Sequence, residues 1–429
     1  MAESIELRIK SLLKEIHLPE FQELQEDYVK QMASLLLDNG LLPMSDEELF
    51  KLLLTSYNIT FFSPIINIEV QFTEDCNLAC TYCFVVDKRK NKFSAEMGKR
   101  ALDFLVLNSG NEKNLVYTFF GGEPLLEFES MYKVMEYSKE VLDKTGKKTS
   151  FNATTNGLLL TKEILMKCEG MLPFLLSIDG NEKTHDKNRI RQNGTGSFKE
   201  VFSKIELLKK YQGWVGTKMT ITPETVYDIM ENVDFLFKSG VNQFLISPSY
   251  EYEWSDAALK EYGQQFRLLG EYHRERVKKG DYFRMSFFER KADDIDCLTG
   301  LWGCHAGRTH AVITYTGDIY PCTKFIGLEG YQCEELYLGN IFDGLTNLRA
   351  RERMFNLTNH MFSSCGSCTQ KNACGGGCPA DNYYHNKSLY KPVKASCDMT
   401  HILHDVYAEY NLKSERIEAE KKASMLGTV

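Results

Sequence analysis

Several things are missing from these 429 residues, and each absence removes a class of function. There is no excess of positive charge: 51 Lys and Arg stand against 59 Asp and Glu, a formal net charge of −8. Such a surface exerts no long-range attraction on nucleic acid or anionic lipid, so no nucleic-acid partner and no membrane partner is expected. Uninterrupted apolar runs are short and flanked by charge, as at residues 32–37, well below the length that spans a bilayer. The opening MAESIELRIK lacks the basic-then-apolar layout of an export signal. Low-complexity segments and internal repeats are also absent. The expectation is a cytoplasmic protein, and its length with 43% hydrophobic content leaves room for two or three domains.

Cysteine, by contrast, is abundant. The count of 13 is odd, the chain is long and no export signal precedes it, so metal ligation or redox chemistry is expected rather than structural disulfides. Three cysteines lie within eight residues (Cys76, Cys80, Cys83) and nine lie between Cys297 and Cys397. Cys168 falls in neither group and reads as buried packing inside a helix.

Residues 1–64 read as helices, at 5–16, at 28–37 and from a Ser45 cap with acidic Asp46, Glu47 and Glu48 to about Leu54. From residue 66 short apolar runs alternate with amphipathic helices. Strands are expected at 66–72, 115–120, 149–154, 174–178, 216–221 and 244–248, and helices at 94–107, 127–142, 161–168, 197–210 and 224–238. Parallel strands need such crossovers, and a sheet covered on both faces would explain the apolar runs. Six units are too few for a closed eight-stranded barrel, so the fold class is α/β, a partial (β/α)6 open barrel with its chemistry on loops at the C-terminal strand ends. The expected domains are an N-terminal helical segment (1–64), the barrel (65–250), a helical bridge (251–296) with its main helix at 257–279, a Cys-rich region (297–400) with a strand–turn–strand at 311–320, and a tail (401–429), helical at first and frayed in the charged stretch 413–422.

Cys76-Asn-Leu-Ala-Cys80-Thr-Tyr-Cys83 follows directly on the first strand. Three thiolates cover three of the four irons of a [4Fe–4S] cluster and leave the fourth open to a ligand. A zinc site usually needs four ligands, and no fourth is near in sequence. With Tyr82 before the last cysteine, the segment resembles the signature of the radical S-adenosylmethionine (SAM) superfamily. Gly121-Gly122-Glu123-Pro124, after the second strand, resembles the family's GGEP motif, in which backbone and acidic side chain hold the SAM amino group. Thr155-Asn156-Gly157, Ser177-Ile178-Asp179-Gly180 and the run His185–Arg189 resemble its further SAM-contacting segments. The resemblance implies cofactor contacts from Tyr82, Gly121, Gly122, Glu123, Pro124, Asn156, Ser177 and Arg189, with Arg191 a second candidate for the SAM carboxylate. Met219, Ile221 and Ser247 end later strands; the first two read as barrel core.

The C-terminal spacing, Cys304-x12-Gly317-x4-Cys322, then Cys365-x2-Cys368-x5-Cys374-x3-Cys378, then Cys397, resembles the SPASM domain, which holds two auxiliary [4Fe–4S] clusters. On that resemblance one cluster takes Cys304, Cys322 and Cys378 with Cys297 as fourth ligand. The other takes Cys365, Cys368, Cys374 and Cys397. Cys333 remains over, and reads as incidental. Gly317 is expected at a tight turn, and Gly375, Gly376 and Gly377 let the chain wrap closely.

The resemblance implies three [4Fe–4S] clusters and SAM, reductive cleavage of SAM to a 5′-deoxyadenosyl radical, and hydrogen-atom abstraction from a peptide or protein side chain. It also implies an external one-electron reductant of flavodoxin or ferredoxin type. Two oxidoreductase functions compete: a peptide maturase that installs a thioether or carbon–carbon cross-link, and an anaerobic sulfatase-maturing enzyme that forms formylglycine. Sulfatase maturases resemble one another in an Asp after the Cys322-equivalent cysteine, as proposed general base. Thr323 stands there, a poor base at neutral pH, which favours the cross-linking maturase. A non-catalytic iron–sulfur electron carrier would have no use for an open-iron triad beside a GGEP loop. The N-terminal helices are expected either to contact a leader peptide or to cap the barrel.

Overall fold

The structure, a computed structural model, describes residues 2–14, 25–38, 44–85, 88–289, 304–327, 334–355, 357, 362–370, 374 and 376–426. The expected roles of Cys297, Cys333 and Gly375 lie outside the described residues.

Three helices open the chain: α1 (Ala2–Leu13), α2 (Gln25–Asp38) and α3 (Asp46–Phe61). Ser45 and Glu48 close both halves of a capping box at the start of α3. That helix runs seven residues past the expected end at Leu54, because Thr55 and Asn58 bond back to Lys51 O and Leu54 O and Tyr57 continues the apolar face. The three helices share a small core of Ile9, Val29, Leu36, Leu49, Leu53 and Tyr57, which also takes in Leu348.

Six parallel strands follow, β1 (Asn67–Thr73), β2 (Asn114–Gly121), β3 (Lys148–Thr155), β4 (Phe174–Ser177), β5 (Gly216–Ile221) and β6 (Gln243–Pro248), each hydrogen-bonded to the next. The sheet does not stop there. β7 (Arg284–Met285) adds to β6, while β8 (His310–Ile313) lies parallel to β1 and leads into antiparallel β9 (Asp318–Tyr320) and β10 (Gly339–Asn340). The result is one ten-stranded sheet in the order β10-β9-β8-β1-β2-β3-β4-β5-β6-β7. The expected strand–turn–strand of the Cys-rich region therefore forms, and it extends the barrel sheet rather than standing apart. Gly317 makes its turn at φ +88°.

The outer face of the barrel carries Val70, Phe72, Tyr117, Phe119, Phe151, Phe174, Leu176 and Phe244 into the main core against the helices. Met219 and Ile221 belong to that core, as expected. The inner face corrects the expectation of a sheet covered on both sides. Glu69, Thr118, Lys218 and Ser247 are only partly buried, and Ser150, Asn152 and Thr154 are exposed. β3 reads KTSFNATT and alternates strictly, because one side packs on helices and the other lines an open lumen.

The expected helix at 197–210 is two pieces, Phe198–Phe202 and Lys204–Gln212, and that at 224–238 is helical from Ile229 to Lys238 after a short 3₁₀ turn. The bridge helix, Asp256–Lys278, packs against the last helix, Lys394–Leu426, through Gly263 on Ile402 and His273 on Tyr410. That last helix does not fray at 413–422. It starts within the Cys-rich region, so it is already nucleated when it reaches a stretch rich in Glu and Lys, both good helix formers.

Candidate functional site

Cys76, Cys80 and Cys83 sit on the loop that leaves β1, at the C-terminal rim of the barrel. Residues 188–192 hold this loop from behind. Ala79 N donates to Ile190 O at 2.8 Å, Thr81 N to Asn188 O at 3.0 Å, and Gln192 Nε2 to Cys76 O at 2.7 Å. Below this backing segment His185 shares a 3.0 Å hydrogen bond with Ser197, and burial lowers its imidazole to about 4. Asp186 accepts from the amides of Ser197 and Phe198 at 2.8 Å each. The segment expected to touch SAM thus first of all shapes the cysteine loop.

The GGEP loop is packed against the same loop. Gly122 N donates to Thr73 O and Glu123 N to Asp75 O, each at 2.9 Å. A Cβ on Gly121 would stand 2.3 Å from Thr73 O, and one on Gly122 would stand 2.2 Å from Asp75 O. Close approach of two backbones, not only of backbone and ligand, therefore requires these glycines. Pro124 opens the short 3₁₀ turn that follows. Glu123 is 1% exposed; its carboxylate accepts from Thr155 Oγ1 (2.7 Å), Asn156 N (2.7 Å) and Leu125 N (3.1 Å). Burial raises its pKa, against the pull of those hydrogen bonds. Asn156, held in this way, donates to Asn77 Oδ1 at 2.6 Å and approaches Cys76 Sγ at 3.8 Å.

On the far side of the triad, Arg189 grips Asp179 bidentately at 2.9 and 3.0 Å, and both groups are buried. Tyr82 donates to the same carboxylate at 2.6 Å and lies 5.3 Å from the guanidinium. The aromatic residue before Cys83 is thus an anchor. Ser177 ends β4 buried nearby, opposite Lys218 on β5. Arg191 points elsewhere, donating to Glu200 at 2.6 Å. An open cleft of about 430 Å³ lies over Cys76 and Asn77, bordered by Asp75, Lys90, Arg191 and Gln192.

The thiols fall into three neighbourhoods, and none of the described cysteines forms a disulfide. Burial pushes Cys76 up to about 11 and also raises Cys80; Cys80 acts on Cys76, and Cys83 on Cys80. Burial pushes Cys378 up to about 12 and Cys322 well above its usual value; Cys304 acts on both. Cys397 is pushed up to about 11 by burial, then by Cys374, Cys365 and Cys368. His401 lies one turn beyond Cys397, 3.4 Å from Cys368 Sγ. Unbridged thiols close enough to act on one another are soft donors of the kind iron–sulfur clusters take, although among the described residues no group of three already stands in ligating geometry. Cys168 is 2% exposed in the main core, and no other cysteine acts on its thiol.

One polar cluster was not expected. Burial raises the carboxyl of Glu69 to about 7, against the opposing pull of Thr323 and Lys218. Across the lumen burial lowers Lys218 to about 8, and Lys218 donates to Ser247 Oγ at 2.7 Å. Lys324 reaches Asp381 at 2.6 Å and Glu251 at 3.3 Å, tying the Cys322 segment over the lumen. The signal for Glu69 was a single acid in the strand NIEVQFT; its inward direction and its nearness to residue 323 depend on the pairing of β8 with β1.

Comparison with known proteins agrees with this geometry. Residues 70–242 match the radical SAM superfamily, and residues 304–374 match SPASM, an iron–sulfur cluster-binding domain. The chain is 29% identical to a cysteine-type anaerobic sulfatase-maturating enzyme of Clostridium perfringens, over 71% of this chain and 85% of that one. Its fold is similar to native anSMEcpe with bound AdoMet and Cp18Cys peptide (TM-score 0.66, 20% identity, 82% of this chain and all, 100%, of that one). It is also similar to SuiB of Streptococcus suis bound to precursor peptide SuiA (TM-score 0.56, 17% identity, 87% and 89% of the two chains).

Proposed function

This chain belongs to the radical SAM superfamily and carries a SPASM iron–sulfur domain, and from that premise we propose that it is a maturase that oxidises a side chain of a ribosomally made peptide and closes a cross-link. The observation that carries the reading is the rim of the barrel. A three-cysteine loop and a GGEP loop are locked together there, above a polar lumen wide enough to leave β3 side chains exposed.

In this reading Cys76, Cys80 and Cys83 hold the cluster that binds SAM, and the bound pair supplies a deoxyadenosyl acceptor for one hydrogen atom of the substrate. Cys304, Cys322 and Cys378 hold one auxiliary cluster, with Cys297 completing it. Cys365, Cys368, Cys374 and Cys397 hold the other. Glu123 has three of its four acceptor positions filled within the protein, which leaves one on Oε2 for the SAM ammonium. Asn156 is set by Glu123 and completes the same wall. Gly121, Gly122 and Pro124 fix that wall against the cysteine loop, and Ser177 closes it at the end of β4. Arg189 keeps two N–H groups on Nη1 free of Asp179, available to a carboxylate, while Tyr82 keeps that pair in place. A precursor peptide is the partner, and a flavodoxin- or ferredoxin-like protein in the cytoplasm is the electron donor.

Two observations favour a second reading, oxidation of a sulfatase cysteine or serine to formylglycine. Sulfatase maturation is what the C. perfringens relative is named for. And a lumen carboxylate, Glu69, feels the influence of Thr323. Mass spectrometry separates the two. Enzyme, SAM and reductant are incubated with the peptide encoded next to the gene and with a sulfatase-type cysteine peptide. The first should lose two hydrogens per event and gain no aldehyde; a hydrazide-reactive aldehyde on the second, with the first untouched, reverses the order.

A further inference from the structure

Lys218 stands on the lumen face of β5, between Ser177 of β4 and Leu245 of β6 in the strand pairing. Its side chain does not stay at that level. Nζ donates to Ser247 Oγ at 2.7 Å, and Ser247 pairs with Thr220, two residues nearer the C-terminal rim. The ammonium is thus drawn up towards the cysteine loop. The backbone around it is fixed from the same direction. Arg189 donates to Lys218 O at 3.4 Å, and Thr220 N donates to Asp179 at 2.9 Å. These two partners are the buried pair that anchors Tyr82.

What the ammonium lacks is a counter-charge in contact. The charged groups that face it are Arg189, Lys324, Asp179 and Glu69. Asp179 is gripped by Arg189, while Lys324 holds Asp381 and Glu251. Glu69 acts from β1, across the lumen, and among the described residues no carboxylate lies in ion-pair contact with Lys218. A half-buried cation on one neutral hydroxyl has given up water without gaining an anion, and a carboxylate entering the lumen restores that loss. Burial lowers Lys218 to about 8, so it is still mostly protonated at neutral pH. The lumen wall opposite offers neutral groups and space, with Asn152 and Thr154 exposed. We propose that Lys218 pairs with a carboxylate of the peptide substrate and so selects which residue is presented for oxidation. That carboxylate is an Asp or Glu side chain close to the reacting residue, or the peptide's own C-terminus. The inference rests on the maturase reading above and holds for either product. In that reading Arg189 serves the carboxylate of SAM, which leaves Lys218 for the substrate.

The test uses the full-length reconstituted enzyme and whichever of the two peptides above the native enzyme processes. Each Asp and Glu of that peptide is replaced in turn by Asn or Gln, and one further peptide has an amidated C-terminus. With the native enzyme, one member of the series should lose about ten- to a hundredfold in kcat/KM, chiefly through KM, and its position tells side chain from terminus. Lys218→Met should show the same loss with the unaltered peptide and should treat that member and its parent alike, within about twofold. Lys218→Arg, which keeps the charge, should recover most of the lost kcat/KM. Iron content and SAM affinity should stay native in both variants. If Lys218→Met holds less than the native iron, Lys218→Gln replaces it with the same expectation. A peptide series that the native enzyme treats alike, or a Lys218→Met variant that still discriminates as the native enzyme does, overturns the role of Lys218 and leaves the maturase reading standing. A fall in SAM affinity equal to the fall in kcat/KM also overturns it, because the ammonium would then serve SAM. If the native enzyme processes neither peptide, the maturase reading itself fails, and the role of Lys218 falls with it.

Discussion

At the scale of single residues, the rim of the barrel is decided by polar side chains that face inward and must be satisfied. Glu123 is the clearest case, because one buried carboxylate fixes Thr155, Asn156 and Leu125 together. Glu123→Gln keeps the shape but turns one acceptor into a donor facing a backbone N–H. Losing a charge-assisted bond of this kind costs about 1.5–3 kcal/mol, so SAM affinity should drop about ten- to a hundredfold. Iron content should stay native, since no cysteine is touched. Calorimetric titration of the reconstituted variant with SAM reads the affinity and iron analysis the cluster content; an unchanged affinity would leave the GGEP loop as a turn and no more. The motif residues themselves could be read from the sequence. Their engagement could not, because a hydrogen bond between residues 123 and 156 is a fact of two strands lying side by side.

At the scale of elements, the N-terminal helices meet the Cys-rich region through Leu348, an Asn58–Leu345 hydrogen bond, a Lys51–Asp343 ion pair and, most deeply buried, Arg351. Arg351 is 1% exposed and has no carboxylate partner among the described contacts. It donates instead to Asn58 Oδ1 at 2.7 Å, Arg308 O at 2.9 Å, Gly307 O at 3.3 Å and Ser63 O. Burial lowers its pKa to about 9. Arg351→Met would keep the bulk and orphan these acceptors, at about 1–3 kcal/mol for each one left unsatisfied. The expected result is a fall in melting temperature of several degrees and faster proteolysis after α3, with the cluster spectra unchanged. Cleavage at the native rate would mean the helices are held by their apolar face and the remaining polar contacts, without need of Arg351. Because α3 enters β1 at its N-terminal end, these helices attach at the opposite end of that strand from the cysteine loop. That placement bears on the leader-peptide expectation: a peptide bound on this module would have to reach around the barrel to the rim.

At the scale of the whole molecule, barrel and Cys-rich region share one sheet, so Cys304 and Cys322 flank strands continuous with β1, while Cys365, Cys368, Cys374, Cys378 and Cys397 lie off the sheet on loops and helices. Anaerobically reconstituted protein should hold about twelve irons, in three [4Fe–4S] clusters. Replacing Cys76, Cys80 and Cys83 together by Ala should leave about eight irons and abolish SAM cleavage. Iron analysis and 5′-deoxyadenosine assay check both. Finding about four irons in the native protein removes the two auxiliary clusters, and SAM cleavage by the triple variant removes the central reading.

What the sequence alone determined is what local spacing can encode. Thiols with three and two residues between them on a loop, turn glycines, a capped helix and six strand–helix alternations are visible because their partners are near in the chain. Tertiary structure decided the rest. The period-2 pattern of β3 says that its faces differ, but only closure of the sheet makes one of them a lumen. Glu69 and Thr323 are 254 positions apart, and nothing in either neighbourhood names the other. They meet because β8 returns to pair in parallel with β1, and backbone pairing brings distant side chains together without leaving a trace in local composition.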